Sequence, residues 1–485
     1  MLTRNLRVAV IGAGFAGMGA AIALQDSGIT AITIYERGHD FGGTWRDNTY
    51  PGCACDIRSH LYSFSFFRNP DWTREFPQQP EIEAYLLACA RRYGLRRYAR
   101  FGTTVTEIRW LADREVWQVH TSHGDIDEVD VVISATGPLS TPKAPDIDGL
   151  DSFGGTAFHS AAWDHHHELA GRRVAVIGTG ASAVQFVPEI VGVADHVTVF
   201  QRTAPWVLPR EDRAFTDAER RRFRRFPLIA TVKRWKVYVR QELLVRAFTG
   251  DVRAAAMIRD GWAQFAAAQG VSGELLEQVT PRYEPGCKRL LISNDWYPTL
   301  QRDDVTLETE AIDHVEADTI VTASGRRIPV DTIVLGTGFA ATDFLTPMKV
   351  FGRDDRELSD AWRRSGAATY LGTAVHGFPN LFLMVGPNTG LGHNSIVFMM
   401  EAQLHLVMGA LRTMMRGDRR TVEVTARAQT ASYADAQDRL SRTVWTTGGC
   451  DSWYRSADGR VDTLWPGGTV RYWRLTRRFR RRDFC

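Results

Sequence analysis

The sequence is poor in cysteine motifs, in net charge and in long apolar runs. Its six cysteines include no CxxC pair, which indicates neither a disulfide framework nor a zinc site and favours a reducing compartment. A net charge of +3 over 485 residues implies no strong electrostatic partner and gives no reason to expect nucleic-acid binding. No run approaches the roughly eighteen apolar residues that a spanning helix needs, so no membrane span is expected. The cysteines are Cys53, Cys55, Cys89, Cys287, Cys450 and Cys485.

A secretory leader is also missing from the pattern. The N-terminal stretch MLTRNLRVAVIGAGFAG runs almost directly into a buried-strand pattern and leaves no room for a cleavable signal peptide. Together with the cysteine usage, this predicts a cytoplasmic protein. At the other end, RLTRRFRRRDFC is strongly basic, and we expect a solvated tail there rather than a membrane or nucleic-acid contact.

A glycine-rich turn follows the first predicted strand. LRVAVIGAGFAGMGAAIALQDSGITAITIYER predicts a strand, a turn containing Gly12, Gly14, Phe15 and Gly17, a helix and a second strand. Gly12 makes the tight turn, Gly14 lets a pyrophosphate approach the backbone, and Gly17 lets the helix pack close to the strand. The pyrophosphate is expected at the helix N-terminus. Glu36, at the end of the second strand, is placed to accept hydrogen bonds from ribose hydroxyls.

The same unit occurs a second time in RRVAVIGTGASAVQFVPEIVGVADHVTVFQRT. Arg202 follows Gly178 by the same 24 positions that separate Glu36 from Gly12. A carboxylate at this place suits a free 2′-hydroxyl, whereas a guanidinium suits a 2′-phosphate. The first unit is therefore predicted to bind FAD or NAD, and the second NADP. The turn residues of the second unit are Gly178, Thr179, Gly180, Ser182 and Ala183, with alanine tolerated in the third glycine's place.

A further repeated stretch supports two nucleotide-binding units. VDVVISATG (129–137) and VDTIVLGTG (330–338) align without gaps, and each predicts a buried strand that ends in a Thr-Gly turn. The predicted fold class is α/β: two Rossmann-like dinucleotide-binding domains, the second inserted in the first, with a helical subdomain whose basic face is expected to be solvated. The expected segments are 1–140 and 379–485 for FAD, 141–212 and 281–378 for NADP, and 213–280 for the helical insertion.

Two nucleotides bound side by side imply hydride transfer from NADPH to a flavin, and then onward transfer of the electrons. The acceptor could be a disulfide, another carrier or O₂. Cys53 and Cys55 are too close in sequence to form an easy disulfide, which disfavours disulfide reduction.

The connector before the second glycine turn carries a fixed pattern, Phe153-x-Gly155-x-x-x-His159-x-x-x-Trp163-Asp164. It resembles the fingerprint of the type I Baeyer–Villiger monooxygenases. The stretches GGTW, YPGCACDIRSHLYSFSF and GCKRLLISNDWYPTLQR extend this resemblance along nearly the whole chain. The resemblance implies that residues 153–164 are a hinge strand between the domains, in which His159 and Trp163 couple domain rotation to nicotinamide positioning.

The resemblance further implies an FAD-containing, NADPH- and O₂-dependent enzyme that acts through a flavin C4a-peroxide. It would oxidise a small-molecule ketone to an ester or lactone, without an obligate protein partner. Arg289, oriented by Asp56, would supply the fixed positive charge that the reaction needs. Lys288 would reach the 2′-phosphate of NADPH beside Arg202, and Thr203 would add a hydroxyl. The remaining flavin-side contacts it implies are Gly43, Thr44, Trp45, Asp56, Tyr62 and Asn388.

Other interpretations stay open at the level of sequence. One is an S- or N-oxygenating flavin monooxygenase, although Trp163–Asp164 and Arg289 favour the Baeyer–Villiger reaction. Another is an NADPH–flavin reductase that passes electrons to a partner. The stretch TVWTTGGCDSWYR (443–455) is either a mobile loop over the substrate or a plain surface loop. No metal site is expected, since no cysteine or paired carboxylate completes one around His159 and His165–His167.

Overall fold

Two five-stranded parallel sheets form the frame of the protein. The computed structural model describes residues 5–417, 419–456 and 458–485. Within them the strands are β1 (Val8–Ile11), β2 (Ile32–Tyr35), β3 (Ala99–Arg100), β4 (Val105–Leu111), β5 (Val116–Thr121), β6 (Ile126–Val129), β7 (Val131–Ser134), β8 (Thr156–His159), β9 (Arg173–Ile177), β10 (His196–Phe200), β11 (Val207–Leu208), β12 (Leu291–Ile292), β13 (Val305–Glu308), β14 (Ile312–Val315), β15 (Thr319–Thr322), β16 (Arg327–Pro329), β17 (Thr332–Leu335), β18 (Lys349–Phe351) and β19 (Leu381–Leu383).

The same residues contain α-helices and short 3-10 helices. The α-helices are α1 (Phe15–Asp26), α2 (Thr44–Asp47), α3 (Gln79–Arg92), α4 (Ala181–Ile190), α5 (Asp217–Arg225), α6 (Pro227–Phe248), α7 (Val252–Ala268), α8 (Gly273–Val279), α9 (Trp296–Leu300), α10 (Leu358–Ser365), α11 (Ile396–Met415), α12 (Ala426–Leu440), α13 (Val444–Thr447) and α14 (Thr469–Thr476). The 3-10 helices are Leu95–Tyr98, Leu150–Ser152, Ser160–Ala162, Arg353–Asp355 and Arg481–Asp483.

The first sheet is assembled from two distant parts of the chain. Its order is β19-β7-β1-β2-β3, and every pair in it is parallel. All four residues of β1 are buried, as is usual for a central strand of a parallel sheet. β19 lies beside β7, with Leu381 opposite Val132. A late segment of the chain therefore completes the sheet that β1 begins.

The second sheet is built entirely from the chain between β7 and β19. Its order is β13-β10-β9-β17-β8, again with parallel pairs throughout. This topology confirms the predicted α/β class with one Rossmann-like fold inserted in another. Smaller sheets, β11-β12, β14-β15-β16 and β18-β4-β5-β6, lie outside these two frames.

The two glycine turns have matching geometry. Each follows the central strand of its sheet and precedes a helix, α1 in the first fold and α4 in the second. Gly12 has φ +104°, and a Cβ there would lie 2.5 Å from the carbonyl oxygen of Ala135. Gly178 has φ +109°, and its Cβ would lie 2.6 Å from the carbonyl oxygen of Gly336. Both positions require glycine, because the backbone is left-handed there and the neighbouring turn touches it.

The connector 153–164 contributes a strand to the second sheet. β8 forms its edge and pairs in parallel with β17, with His159 opposite Leu335. The region around the predicted helical insertion contains α5 to α8. Among the described residues, no helix combines the length and the apolar content required to cross a bilayer.

The expectation that the cysteines form no disulfide is wrong for one pair. Cys287 and Cys450 are bonded, although 163 positions separate them. Spacing rules detect cysteines that are close in sequence, whereas tertiary folding brings this pair together. The free cysteines are Cys53, Cys55, Cys89 and Cys485, of which the first three are buried.

The basic C-terminal segment is only partly a solvated tail. Cys485 and Glu423 exchange two backbone hydrogen bonds, at 2.8 and 3.1 Å. The Tyr370 hydroxyl donates to Asp483 at 2.8 Å, and Phe484 is buried. The preceding arginines remain exposed, so their charges meet solvent while the end of the backbone is fixed. These arginines are Arg474, Arg477, Arg478, Arg480, Arg481 and Arg482.

We expect Gly17→Ala to destabilise the protein and reduce its flavin content. A Cβ at Gly17 would lie 1.8 Å from the carbonyl oxygen of Gly12, so α1 must move away from the turn at a cost of about 1–3 kcal/mol. Thermal unfolding and the flavin absorbance of the purified protein measure both effects. The control is Gly261→Ala in α7, where nothing lies within 4 Å and alanine should stabilise the helix by up to about 1 kcal/mol. Equal melting temperatures for the two variants would contradict the expectation.

Candidate active site

An ion pair joins two segments that are distant in sequence. Nε and Nη2 of Arg289 both lie 2.6 Å from Oδ2 of Asp56, across a separation of 233 positions. The side chains are 30% and 26% exposed, so the pair can meet a ligand. The negative charge of Asp56 raises the pKa of Arg289 further above its ordinary value. The structure thus brings together the two residues that the sequence predicts as a catalytic pair.

The loop that carries Asp56 is fastened to the second fold by Gln185 of α4. Its Oε1 accepts hydrogen bonds from the Tyr50 hydroxyl at 3.0 Å and from the Ala54 backbone N–H at 3.2 Å. Its Nε2 donates to the carbonyl oxygen of Ala54 at 3.0 Å. Gln185 is absent from the sequence-predicted site, because nothing in the local pattern marks a helix glutamine as a contact between folds.

The segment 443–455 lies against Arg289. Tyr454 is 1% exposed, and burial raises its pKa while the nearby Arg289 lowers it. Its hydroxyl lies next to the guanidinium of Arg289. The Cys287–Cys450 bond fastens this segment to the residues just before Lys288 and Arg289. Sequence reasoning missed both the disulfide and Tyr454.

Lys288 and Arg202 place two positive charges near each other. Burial lowers the pKa of Lys288, and the charge of Arg202 lowers it further, while Asp451 acts in the opposite direction. Arg202 is exposed at the end of β10, and the hydroxyl of Thr179 donates to the carbonyl oxygen of Thr203 at 3.4 Å. A cation held near a second cation is destabilised, and an added anion such as a phosphate would relieve this. The arrangement fits the 2′-phosphate of NADP.

The first glycine turn forms a cradle that suits a pyrophosphate. Gly43 has φ +55°, and a Cβ there would lie 2.9 Å from Cα of Gly14. Gly14 caps α1 with no side-chain hydrogen bond, which leaves the N–H groups of the first turn available to an anion. In the second glycine turn, Gly180 is the N-cap of α4 and likewise makes no side-chain hydrogen bond to the helix. Ser182 and Ala183 lie at the start of α4.

Glu36 is already held by protein groups. Its carboxylate accepts hydrogen bonds from the backbone N–H of Ala13 at 2.8 Å and of Gly38 at 2.7 Å. Nη1 of Arg46 lies 2.9 Å from Oε1 of Glu36, and both side chains are 5% exposed. The carboxylate is thus fixed at the end of β2 by protein groups, and its predicted hydrogen bond to a ribose hydroxyl stays a prediction. Arg46 was not among the sequence-predicted site residues. The GGTW motif just before it identifies neighbours such as Thr44, but it does not indicate an ion pair between Arg46 and Glu36.

Aromatic side chains cluster beside the first glycine turn. Trp45 of α2 donates from Nε1 to the Tyr62 hydroxyl at 3.0 Å. The ring of Phe15 lies 5.2 Å from that of Tyr62 in an edge-on arrangement. Thr44 begins α2. The structure therefore brings these predicted flavin-side residues to one place.

Asn388 has a structural connection that the sequence did not suggest. It has φ +56°, and its Nδ2 donates to the carbonyl oxygens of Val461 and Leu464 at 2.9 and 3.1 Å. In this arrangement its side-chain amide fastens the 461–464 segment. Its predicted contact with the flavin ring stays a prediction.

The fingerprint residues lie at the edge strand of the second sheet and against α4. The Trp163 ring lies 5.3 Å from Phe186 of α4 and 5.2 Å from Phe158. His159 accepts a hydrogen bond at Nδ1 from the Ala161 backbone N–H, and burial lowers the pKa of its imidazole while the backbone of Gly338 acts in the opposite direction. Among all the residues that the structure describes, no group of three His, Cys, Asp or Glu side chains could hold a metal ion.

Fold and site together define a flavoprotein with two nucleotide-binding folds. Residues 5–228 match the model of the flavin-binding monooxygenase-like family. The chain is 46% identical to a Baeyer-Villiger monooxygenase of Pseudomonas aeruginosa, over 98% of this chain and 90% of that protein. It is 45% identical to a Baeyer-Villiger monooxygenase of Streptomyces coelicolor, over 98% of this chain and 91% of the relative. The chain belongs to the Baeyer–Villiger monooxygenase family.

Solved structures agree with this assignment. An oxidized steroid monooxygenase bound to NADP superposes with a TM-score of 0.86 at 30% identity, covering 97% of this chain and 96% of that one. Cyclohexanone monooxygenase from Rhodococcus sp. Phi1, bound to NADP⁺, also gives 0.86, at 28% identity and the same coverages. The likeness extends over both Rossmann-like folds.

We expect Gln185→Met to weaken the connection between the folds. Methionine has a similar length but makes none of the three hydrogen bonds, so the Ala54 backbone and the Tyr50 hydroxyl lose their partner at a cost of about 1–3 kcal/mol. Thermal unfolding of the flavin-loaded protein measures the loss. Gln264→Met on the exposed surface of α7 is the matched control and should leave the melting temperature unchanged. A melting temperature of Gln185→Met equal to that of the control would contradict the role given to Gln185.

Proposed function

We propose that this protein is an FAD-containing monooxygenase that uses NADPH and O₂ to insert oxygen beside the carbonyl of a ketone, giving an ester or lactone. The observation that carries the proposal is the Arg289–Asp56 pair, which lies beside two nucleotide-binding folds. The names of the relatives support it over S- or N-oxygenation and over a simple reductase. When bound, FAD accepts hydride from NADPH and activates O₂ for attack on the carbonyl carbon.

Arg289 is proposed as the catalytic cation. Its guanidinium is charged at any working pH, and Asp56 fixes its orientation. Oriented N–H donors stabilise the negative charge that develops on oxygen when a carbonyl carbon is attacked. Tyr454 and the disulfide-bound segment limit the movement of Arg289 and exclude water from one side of it.

The nucleotide contacts are assigned in two groups. On the NADP side, Lys288, Arg202 and Thr203 bind the 2′-phosphate, and the second glycine turn binds the pyrophosphate. On the FAD side, the first glycine turn binds the pyrophosphate and Glu36 accepts a ribose hydroxyl. Further FAD contacts are assigned to Gly43, Thr44, Trp45, Asp56, Tyr62 and Asn388.

The wider setting also belongs to the proposal. We retain the segments 1–140, 141–212, 213–280, 281–378 and 379–485 as the domain boundaries. His159 and Trp163 transmit domain rotation to the nicotinamide. The substrates are a small-molecule ketone and O₂, and structural neighbours named for steroid and cyclohexanone substrates support the ketone class. We place the enzyme in the cytoplasm because NADPH is available there, although the Cys287–Cys450 bond removes the cysteine argument for that compartment. It needs no obligate protein partner.

Arg289→Ala should separate the two halves of the reaction. Reduction of the flavin by NADPH should survive, whereas ester formation should fall by about 100- to 1,000-fold, because the oriented donor to the developing oxygen anion is lost. Stopped-flow reduction and mass spectrometry of products across a ketone panel measure the two rates. Arg302→Ala, which removes an exposed arginine paired with Asp304, should leave both unchanged. Ester formation by Arg289→Ala near the wild-type rate would refute the catalytic role.

Arg202→Gln should reduce the preference for NADPH over NADH. Loss of a charge-assisted contact to the 2′-phosphate should raise KM for NADPH by about 10- to 100-fold and leave KM for NADH unchanged. The lowered pKa of Lys288 adds a pH dependence, since its charge is present below that pKa and is lost at a lower pH than for an ordinary lysine. KM for NADPH in the wild type should therefore rise towards alkaline pH. An unchanged NADPH/NADH ratio in Arg202→Gln would show that Arg202 does not bind the phosphate.

A further inference from the structure

The outer face of α6 carries an apolar stripe. Its members follow one another at intervals of four, three, four and four positions, which places them on one side of a helix. Each is more than half exposed: Leu228 78%, Val232 54%, Trp235 58%, Val239 52% and Leu243 59%. Residues on the opposite side of the helix, such as Ala230, Val237 and Phe248, are buried against the body of the protein. Single exposed apolar side chains are ordinary, but a continuous stripe on one helix indicates a binding surface.

The inner contacts of α6 hold the helix firmly, so the stripe is presented on a rigid support. Nη1 of Arg234 donates to backbone carbonyl oxygens in residues 60–63 at 2.9 to 3.2 Å. Nζ of Lys233 lies 2.5 Å from a carboxylate oxygen of Glu75. These cations are committed to the body of the protein.

Positive charge lies along one edge of the stripe and just before its N-terminal end. α6 contains five basic residues and one acidic residue. Lys236 and Arg240 lie along one edge of the stripe, at 100° per residue, and α5 ends in Arg224 and Arg225 just before it. Arg240 pairs with Glu211 and Arg224 pairs with Asp71. Among the described residues, Lys236 and Arg225 form no ion pair, and neither do Arg221 and Arg222 of α5.

We propose that α6 docks this enzyme on the surface of an anionic lipid bilayer. The stripe would enter the boundary between headgroups and acyl chains, with Trp235 at the interface, while Lys236 and Arg225 contact lipid phosphates. A second copy of the chain fits this face poorly, because a two-fold contact through the stripe would bring the same cations towards one another. An anionic lipid surface satisfies both the apolar area and the charge.

Vesicle co-sedimentation of the flavin-loaded enzyme tests the proposal. The vesicles contain either phosphatidylcholine alone or equal parts of phosphatidylcholine and phosphatidylglycerol. We expect the wild type to sediment with the anionic vesicles at low salt and to be released at high salt, because the charge contribution is screened. A wild type that stays in the supernatant with both vesicle types would overturn the proposal.

Variants separate the contributions of the stripe and of the charge. The triple variant Val232→Ser, Trp235→Ser, Val239→Ser should reduce the bound fraction on anionic vesicles by about 10-fold or more. Lys236→Glu should weaken binding to the anionic vesicles alone. Ile126→Ser is the matched control, since this side chain is 55% exposed on β6, outside the stripe, and it should bind like the wild type.

Two measurements keep the result interpretable. Flavin absorbance confirms that each variant is folded, and the substituted side chains are exposed, so loss of folding is not expected. Light scattering after size-exclusion chromatography reports the oligomeric state. Sedimentation of the triple variant like the wild type would overturn the proposal. A wild-type dimer that the triple variant converts to monomer would also overturn it, in favour of a second copy as the occupant.

Discussion

The Arg289–Asp56 ion pair is the interaction on which the rest of this site depends. A guanidinium supplies useful positive charge to a reaction only when its direction is fixed, and a flexible arginine on a loop would average over many directions. Asp56 fixes it at 2.6 Å. The two residues come from segments 233 positions apart, so the geometry requires both segments to be held. Gln185 holds the Asp56 side, and the Cys287–Cys450 bond and Tyr454 hold the Arg289 side.

The neighbouring cations differ in how far their charge is compensated. Arg289 has a carboxylate in direct contact, so its charge is stable and does not require a ligand. Burial and then the nearby Arg202 lower the pKa of Lys288, and only the more weakly acting Asp451 opposes this fall. A compensated cation suits catalysis because it is the same before and after the substrate binds. An undercompensated pair suits binding, because an incoming phosphate removes a repulsion as well as forming new contacts.

The sequence alone was sufficient to predict the features that depend on a local, repeated pattern. The glycine turns after β1 and β9 can be predicted because a residue with a left-handed backbone that touches a neighbouring turn has to be glycine, as at Gly12 and Gly178. The Arg289–Asp56 pair was reached through family resemblance, since neither residue is distinctive alone. Gln185, Arg46 and the Cys287–Cys450 bond were missed for a common reason. Each depends on which distant segments meet, and the local periodicity of a helix or turn does not contain that information.

The helical insertion is a structural support of the site as well as an outer surface. Phe248, the last residue of α6, packs closely on Gly286. A Cβ added to Gly286 would lie 2.3 Å from the Phe248 ring. The same ring lies 6.0 Å from that of Trp445. Gly286 precedes the Lys288–Arg289 stretch, and Trp445 belongs to the segment that carries Tyr454. One side chain of the insertion therefore contacts both segments that surround Arg289. Because a packed interior transmits small displacements, the position of α6 is coupled through Phe248 to the position of Arg289.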